Sequence, residues 1–454
     1  MKTGPAALFI LLLLSACAQK APAQTAYSNH TVGPLSFDAP SWPDAAKEPG
    51  MFMARTNGTC LFGAAAYPVT PIMLEEELKK AFNASGQGGY LRYSLSAGGR
   101  SLGAATRLLY CDYKTYALTV ACEGVPDERA LGSASCKERQ LDVLPKLGMV
   151  ASPAGDDPLK LIDAMKEARG LGTDVLYWYF SYKDIADNWT LPDYLMEPLS
   201  YEGRTAITIS VIHTSVLGAY PSRYSSFDEP GFADEFAGRS AGFAARYKPD
   251  YLFVGNEVDD YLYSHRDKVP AFKEILRKTR ERVHEASPGT KVGFTTTYHD
   301  AISHNATDII GELAEEADII GYTSYGYHDL FMFDNVSRGE EYLDAPAAIV
   351  PGKPYAIVET GWSSSFLLNS SVEKQEEFAK AYFARLNDTD AEFMTWFALH
   401  DGSDCTAAAE SFLTDAQYLK NDAAFMSVFK EYLCSPGIKY SDGTPKKAWS
   451  AWQK

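Results

Sequence analysis

The stretch that decides the fold is YLFVGNEVDD, which runs from Tyr251 to Asp260. Its first four residues are apolar, and this apolar run stops abruptly at Gly255-Asn256-Glu257. A short apolar run that ends in a glycine is typical of a parallel strand covered on both faces. The side chains that follow such a strand emerge at its C-terminal end. The sequence therefore predicts that the carboxylate of Glu257 lies at the end of a buried strand.

A second stretch has the same design. The sequence YAIVETGW, from Tyr355 to Trp362, is an apolar run that carries Glu359 near its end. Glu257 and Glu359 lie 102 residues apart, which corresponds to three strand–helix units of about 34 residues each. Two separate strands are thus predicted to carry one glutamate each.

Alternation of strand and helix extends from about Leu144 to the end of the chain. The predicted strands cover residues 149–151, 175–180, 206–212, 251–254, 291–296, 319–322, 355–358 and 393–398. The predicted helices cover residues 159–170, 232–247, 272–286, 308–316, 372–386 and 417–433. Eight such units match a (β/α)8 barrel, spanning residues 143–454, in size and order. A doubly wound open sheet is the alternative, but it normally shows a glycine-rich phosphate loop after an early strand, and none is visible.

Residues 32–142 have a different pattern and predict a small α+β module with an antiparallel sheet. Thr70-Pro71 predicts the start of a helix, because threonine caps helix N-termini and proline is favoured in the first turn. Two short apolar runs, 108–110 and 116–120, predict a hairpin around Asp112-Tyr113-Lys114. No catalytic constellation is visible in this module, which is expected to be a spacer or a binding module.

The N-terminus has the pattern of a targeting segment. Lys2 supplies a positive charge, and residues 6–14 form an apolar run that is too short to span a membrane stably. The run ends in Leu14-Ser15-Ala16-Cys17, which resembles the lipobox of prokaryotic lipoproteins. Residues 1–17 are therefore expected to be a lipoprotein signal peptide with lipidation at Cys17, and residues 18–31 a flexible tether. The alternative is an ordinary signal peptide that happens to contain a cysteine.

The other cysteines predict disulfide bonds. They are six in number, at positions Cys60, Cys111, Cys122, Cys136, Cys405 and Cys434. An even number of cysteines in an exported chain is typical of disulfides. Cys405 and Cys434 are the natural pair near the C-terminus, whereas the pairing among the first four is undetermined.

The asparagines indicate a glycosylated surface. Eight Asn-x-Ser/Thr sequons begin at Asn29, Asn57, Asn83, Asn188, Asn305, Asn335, Asn369 and Asn387, and only two asparagines lie outside such a motif. This excess suggests N-glycosylation of an exported protein. Together with the lipobox, it predicts a lipid-anchored protein on the extracellular face of a prokaryotic cell membrane, and an archaeal cell surface is the hypothesis that this combination suggests.

The composition limits the classes of partner. A formal net charge of −17 argues against nucleic-acid partners, because no basic stripe is present to bind phosphates. The 28 tyrosines suit a carbohydrate-binding surface, although a large barrel also uses tyrosine in its core.

The two glutamates indicate a definite chemistry. If they meet at the C-terminal mouth of one barrel, they supply the proton donor and the nucleophile that glycosidic cleavage requires. Asn256-Glu257 after strand four and Glu359 after strand seven resemble the clan of retaining glycoside hydrolases built on (β/α)8 barrels. Residues 359–362, ETGW, are similar to the nucleophile motif of β-1,3-glucanases. Residues 318–321, followed by Tyr325, resemble strand six of endo-β-1,4-galactanases.

The resemblance implies a role for each residue that matches it. Glu257 would be the acid/base and needs a raised pKa, whereas Glu359 would be the nucleophile and must stay ionised. Carboxyl groups about 5 Å apart would give retention. Asn256 would donate to the sugar 2-hydroxyl, and Tyr325, or Tyr322, would hydrogen-bond the nucleophile. The aromatic floor beneath the sugar in the −1 subsite would be Trp396.

Histidines and further aromatic residues complete the predicted site. Four histidines follow predicted strands three, five, six and eight, at positions His213, His299, His328 and His400. Of these, His213 and His328 are expected to bind substrate. Trp362, with Trp178 and Tyr179, is expected to add stacking surface.

A metal-dependent hydrolase on a (β/α)8 barrel is the rival class of enzyme, because such enzymes also gather histidines at strand ends. They carry a His-x-His pattern at strand one, and residues 148–153, GMVASP, contain no ligand. The sequence thus predicts a retaining glycosidase for β-linked poly- or oligosaccharides, with no metal and no cofactor. The alternative is a non-catalytic glycan-binding lipoprotein on the same barrel.

Overall fold

In the computed structural model the chain divides into two compact units, residues 1–140 and 141–454, two residues before the boundary predicted from the sequence. The structure describes residues 27–32, 35–40, 46–48, 51–56, 60–87, 89–97, 100–122, 126, 128–136, 143–328, 331–413 and 417–453. The predicted signal peptide and Cys17 lie outside these residues. In the described part of the chain, no helix is both long and apolar enough to cross a membrane.

The first unit contains two antiparallel sheets. Its strands are β1 Tyr27–Val32, β2 Leu35–Pro40, β3 Ala46–Glu48, β4 Met51–Thr56, β5 Cys60–Tyr67, β6 Ser85–Gln87, β7 Tyr90–Ala97, β8 Arg100–Cys111, β9 Lys114–Cys122 and β10 Ser135–Cys136. Seven of them form a sheet in the order β3-β4-β5-β9-β8-β7-β6, and the other three form a sheet in the order β1-β2-β10. The predicted antiparallel module is confirmed. The tether predicted for residues 18–31 is wrong over its last part, because β1 pairs with β2 as a hairpin.

The helix and the hairpin predicted in this unit are both present. Helix α1, Pro71–Phe82, begins after Thr70, whose hydroxyl accepts a hydrogen bond from the N–H of Met73. The turn between β8 and β9 places Asp112 and Tyr113 at positive φ, the backbone conformation of a two-residue hairpin turn. A second helix, α2 Arg129–Ser133, follows. The structure settles the early disulfides, which join Cys60 to Cys122 and Cys111 to Cys136.

The second unit is a closed barrel of eight parallel strands. They are β11 Leu144–Met149, β12 Thr173–Ser181, β13 Arg204–His213, β15 Tyr251–Asn256, β16 Lys291–Thr297, β17 Ile319–Thr323, β20 Tyr355–Thr360 and β21 Met394–Trp396. Each pairs in parallel with the next, and β21 pairs with β11 to close the ring. The (β/α)8 barrel is confirmed, and the open sheet is excluded because it would have two unpaired edges. Short strands β14 Val216–Leu217, β18 Tyr327–His328 and β19 Met332–Phe333 extend the loops after strands three and six.

The barrel strands are nearly continuous runs of buried residues, since one face meets the barrel interior and the other meets the helices. Tyr177, Phe253, Val358 and Phe393 belong to the interior core. The surrounding helices are α3 Leu161–Gly170, α4 Tyr182–Ala186, α5 Thr190–Ser200, α6 Phe232–Tyr247, α7 Val258–Ser264, α8 Val269–Ala286, α9 Tyr298–Ser303, α10 Thr307–Ala314, α11 Val336–Asp344 and α12 Val372–Leu386.

The segment after the last barrel strand differs from the prediction. Instead of one helix over residues 417–433, the chain forms α13 Thr406–Phe412, α14 Gln417–Lys420 and α15 Ala423–Cys434. We call residues 399–413 and 417–437 the roof, because side chains from α13 and α15 line the cavity described below. The predicted disulfide between Cys405 and Cys434 is confirmed and joins the two ends of the roof. A final short helix, α16 Trp449–Trp452, packs against α12 through the ring of Trp452.

Candidate active site

Glu257 follows directly after β15, in a backbone turn that aims its side chain. Gly255 has a φ of 76°, and a Cβ there would lie 2.5 Å from a methyl group of Val258, so only glycine fits. Glu257 itself has φ 51° and ψ 52°, a left-handed conformation that costs energy for a residue with a side chain. Its N–H donates to the hydroxyl of Thr295 at 2.8 Å. Strain of this kind at a strand end is typical of a functional position.

The Glu257 carboxyl is held by two threonine hydroxyls. Thr214, just after β13, donates to Oε2 at 2.6 Å. Thr323, the last residue of β17, donates to Oε1 at 2.7 Å. Each donor comes from a different strand end, so the position of the carboxyl depends on the barrel as a whole.

The Glu359 carboxyl is held by two phenols. Glu359 lies within β20 and is only 7% exposed. The hydroxyl of Tyr325 donates to Oε2 at 2.9 Å, and that of Tyr179, from β12, donates to Oε1. Both carboxyl oxygens of the buried glutamate are therefore satisfied by donors.

The two carboxyl groups are at the same end of the barrel. Thr323 is the cross-strand partner of Glu359 in the β17–β20 pairing, and the same Thr323 donates to Glu257. The next N–H, that of Ser324, donates to the Glu359 carbonyl at 2.9 Å. One residue thus links both glutamates at the C-terminal mouth, as the sequence analysis expected.

Both glutamates open into one cavity of about 250 Å³. Barrel strands and their loops contribute Tyr179, His213, Thr214, Asn256, Glu257, Tyr325, Phe333, Glu359, Ser363 and Phe397. The roof contributes Cys405, Ala408, Tyr432, Leu433 and Pro436. The cavity therefore has acidic and hydroxyl groups on its barrel side and mainly apolar groups on its roof side.

Burial raises the pKa of both carboxyl groups. Burial is the main cause of the raised pKa of Glu257, and it is opposed by the two threonine hydrogen bonds. Burial and then the charge of Glu257 raise the pKa of Glu359 to about 8, against the two tyrosine hydrogen bonds. For Glu359 this direction is opposite to the one expected from the sequence. Because the charge of Glu257 opposes ionisation of Glu359, the two carboxyl groups share one proton near neutral pH.

Two other predicted residues line the cavity. Asn256 is buried, and its amide oxygen accepts from the Thr295 hydroxyl at 3.2 Å, which leaves the amide NH2 group as the remaining donor. His213 lies with its ring centroid 6.4 Å from that of Tyr179. Burial lowers the pKa of His213, so its imidazole is neutral near pH 7.

The prediction that Trp396 forms the floor of the site is wrong. Its side chain is fully buried, packs against Phe378 and Tyr382 of α12, and donates from Nε1 to the carbonyl of Pro436 at 3.2 Å. Successive side chains of a strand point to opposite faces. Trp396 therefore faces the helices, and the next residue, Phe397, is the aromatic residue that lines the cavity.

Trp362 and His328 do not line the cavity either. Trp362 is fully buried and donates from Nε1 to Ser370 at 2.8 Å. Its ring fills the space beside Gly326, where a Cβ would lie 2.4 Å from it. The His328 side chain is 47% exposed, with Nε2 3.8 Å from a carboxyl oxygen of Asp334. Core packing of Trp362 and the contact between His328 and Asp334 explain these positions without a substrate.

The other two histidines that follow predicted strands, His299 and His400, are not among the residues that line the cavity. The His299 ring lies 5.5 Å from that of Tyr327, and the Nδ1 atom of His400 lies 2.8 Å from the carbonyl of Ser152. Within the described residues, no group of three or more His, Cys, Asp or Glu side chains is arranged to hold a metal ion.

Sequence reasoning missed three kinds of residue. Thr214 and Thr323 each stand at a strand end, but a lone threonine there gives no particular signal. Tyr179 was expected only to stack, whereas it donates to Glu359. Tyr432 comes from the roof, whose position over the cavity is set by tertiary packing and leaves no mark in the sequence.

Comparison with known proteins finds similarity in solved structures alone. No protein-family model matches the chain, and no curated protein matches it. GH5_18 from Streptomyces cattleya, in complex with GlcNAc, is 17% identical; the match covers 68% of this chain and 79% of that one, with a TM-score of 0.49. An exo-β-1,4-mannosidase from Opitutaceae bacterium strain TAV5 is 13% identical over 69% of this chain and 60% of that one, with a TM-score of 0.49.

Native xylanase 10B from Thermotoga maritima is also similar. It is 14% identical, and the match covers 69% of this chain and 94% of that one, with a TM-score of 0.46. Likeness at this level adds nothing to the eight closed strands that the structure itself contains, so the chemistry has to be argued from the site.

Proposed function

We propose that the protein is a retaining glycoside hydrolase that cleaves β-linked poly- or oligosaccharides. One observation carries the proposal: two carboxyl groups, the buried one of Glu359 and the partly buried one of Glu257, line one cavity at the ends of strands seven and four and are linked through Thr323. A pair that holds a single proton near neutral pH supplies an acid and a nucleophile at the same time.

The proposed reaction has two steps. First, the carboxylate of Glu359 attacks the anomeric carbon, the bond from that carbon to the leaving oxygen breaks, and Glu257 gives its proton to that oxygen. Second, Glu257 takes a proton from water, the water oxygen attacks the same carbon, and the bond to Glu359 breaks. Each step inverts the carbon, so the configuration is retained.

The hydrogen bonds fit these roles. Tyr179 and Tyr325 donate to Glu359, and a phenol donor stabilises the charged carboxylate and fixes its orientation for attack. The threonine hydroxyls on Glu257 can rotate, so they can either donate to the carboxylate or accept from the protonated acid. Asn256, whose amide NH2 group remains as a donor, is placed to bind the sugar 2-hydroxyl.

The activity should have a bell-shaped pH profile with both limbs shifted upward. Above about pH 8 the pair loses its last proton, Glu257 can no longer act as the acid, and kcat/KM falls. On the acid side, activity falls when both groups are protonated, at a pH above the ordinary glutamate pKa of 4.5. The pH dependence of kcat/KM on an aryl β-glycoside measures both limbs. With Glu257→Gln and an activated aryl substrate, the alkaline limb should disappear; an unchanged alkaline limb would contradict the shared proton.

Covalent labelling tests the proposed function. An activated 2-fluoroglycoside should glycosylate Glu359 and stay attached there, because the fluorine slows both steps whereas the activated leaving group restores the rate of the first. Peptide mapping of the full chain should place one added sugar on the peptide that contains Glu359. Glu359→Gln serves as the control and should take up no label. A barrel kept only for glycan binding would remain unlabelled with every sugar tested, and that outcome would reject the proposal.

A further inference from the structure

Residues of the roof line part of the cavity. Four of these residues line the same 250 Å³ cavity as the two glutamates. Cys405 precedes α13, Ala408 lies in α13, and Tyr432 and Leu433 lie in α15. A cleft that binds a long polysaccharide runs open across the barrel mouth. Here residues of the roof stand beside the two glutamates and line one side of the cavity.

Several contacts fix the roof in place. The ring of Phe331, in the loop after strand six, stacks on Tyr432 at 4.5 Å and on Phe429 at 5.1 Å. At its base, the N–H of Gly402 donates to the carbonyl of Cys434 at 3.0 Å, beside the disulfide. The roof is therefore a packed part of the unit rather than a loose loop.

A buried ion pair adds to this base. The ammonium group of Lys446 lies 2.7 Å from a carboxyl oxygen of Asp401 and donates to the carbonyl of Ser435 at 3.1 Å. Its side chain is fully buried. Removing one member of such a pair leaves a buried charge uncompensated, so the contact resists opening.

The size of the cavity limits how much of a sugar chain it can enclose. Pockets for drug-sized ligands measure about 300 to 1,000 Å³, and this cavity, at about 250 Å³, is smaller. The sugar that occupies it must present its anomeric carbon to Glu359. Because the attacked carbon belongs to the sugar on the non-reducing side of the cleaved bond, a cavity for one ring admits a chain by its non-reducing end only.

The charge of the cavity limits the kind of sugar. Two carboxyl groups line it, its one histidine is held neutral by burial, and its lining contains neither lysine nor arginine. An acidic sugar would bring a further negative charge into a buried site without a cation to pair with it, which is costly. The apolar roof side chains Ala408, Leu433 and Pro436 give no compensation.

We propose that the cavity is a single-sugar subsite for an uncharged terminal sugar, and that the enzyme removes one sugar at a time from the non-reducing end. This rests on the proposed function and names its substrate class. The sugar is held between the two glutamates on the barrel side and the apolar surface of α13 and α15 on the roof side.

Product analysis with the full chain tests this directly. With β-linked oligosaccharides labelled at the reducing end, the released product should be a monosaccharide alone, and the labelled chain should shorten by one unit per cleavage. Aryl β-glycosides of neutral hexoses should exceed the matching β-uronides in kcat/KM by roughly 100-fold or more. Internal cleavage products, or uronides hydrolysed as fast, would overturn the inference while leaving the proposed function intact. If no glycoside is cleaved and Glu359 takes up no label, both this inference and the proposed function are wrong.

A matched pair of roof variants tests the role of α13. Ala408 and Ala407 are neighbouring exposed residues of the same helix, but only Ala408 lines the cavity. Ala408→Phe should raise KM for the neutral aryl glycoside by roughly 10-fold, because it narrows the cavity. Ala407→Phe should leave KM unchanged. Equal KM values for the two variants, at equal thermal stability, would show that the roof does not contact the sugar.

Discussion

The Glu359→Ala variant is expected to lose hydrolysis by on the order of 10⁵-fold. Among the described residues that line the cavity, the one other carboxyl group is that of Glu257, which serves as the acid. Added azide should restore part of the turnover, because the shortened side chain leaves room for a small anion beside the anomeric carbon. Azide then attacks once, from the side where Glu359 stood, so the glycosyl azide formed has the inverted configuration. Product configuration by NMR measures this.

The control for this variant is Glu392→Ala. The Glu392 carboxyl accepts from the hydroxyl of Tyr251 at 2.9 Å, where the barrel strands begin, and is not part of the cavity lining. Loss of the Glu392 carboxyl group should leave kcat nearly unchanged. A Glu359→Ala protein that keeps its thermal transition and hydrolyses at the normal rate would show that the nucleophile lies elsewhere.

The Glu257→Ala variant should give the second large effect, and that effect should depend on the leaving group. Substrates with poor leaving groups need the proton of Glu257, so their kcat/KM should fall by about 10²- to 10⁴-fold. Dinitrophenolate leaves without protonation, so activated dinitrophenyl glycosides should still form the intermediate on Glu359. Rates across a series of aryl leaving groups measure the difference.

Azide separates the two glutamates by the stereochemistry of its product. With Glu257→Ala, azide should attack the intermediate already formed on Glu359, and the second inversion gives a glycosyl azide of retained configuration. If both variants give the same configuration, or if Glu257→Ala slows all leaving groups equally, the assignment of acid and nucleophile is wrong.

The fold and the two glutamates could be predicted because local sequence encodes them. A buried parallel strand needs a short apolar run, and the residue at its end must point toward the mouth. Both requirements are visible around Glu257 and Glu359. The strand bounds shifted by a few residues, as for β11, Leu144–Met149, without changing the order of units.

Trp396 shows what local sequence does not fix. The alternation along β21 places Phe393 and Phe397 in the interior core and Trp396 against the helices. A shift of one residue exchanges the two faces of a strand, so a prediction that has the strand right can still assign its tryptophan to the wrong side. Phe397, the aromatic residue that lines the cavity, is the next residue in the sequence after Trp396.

The pKa values and the roof depend on tertiary structure. The pKa of Glu359 follows from how deeply it is buried and from the charge of Glu257, and neither is visible in one strand. Residues 417–433 have the periodicity of a barrel helix, but Phe429 and Tyr432 of this segment pack on Phe331, in the loop after strand six. A helical pattern predicts an apolar face and does not say which surface that face will cover.

The Cys405–Cys434 disulfide encloses the part of the chain that we propose selects the sugar, whereas the two glutamates that break the bond lie outside it. Its two Cα atoms lie 5.7 Å apart although 29 positions separate them in sequence, so the intervening stretch leaves and rejoins the barrel at almost one point. Such a stretch can be exchanged as a cassette, longer or shorter, at little cost in loop entropy and without moving the strands that hold the glutamates. Evolution, or a protein engineer, can therefore change which sugar is admitted while the bond-breaking groups stay where they are.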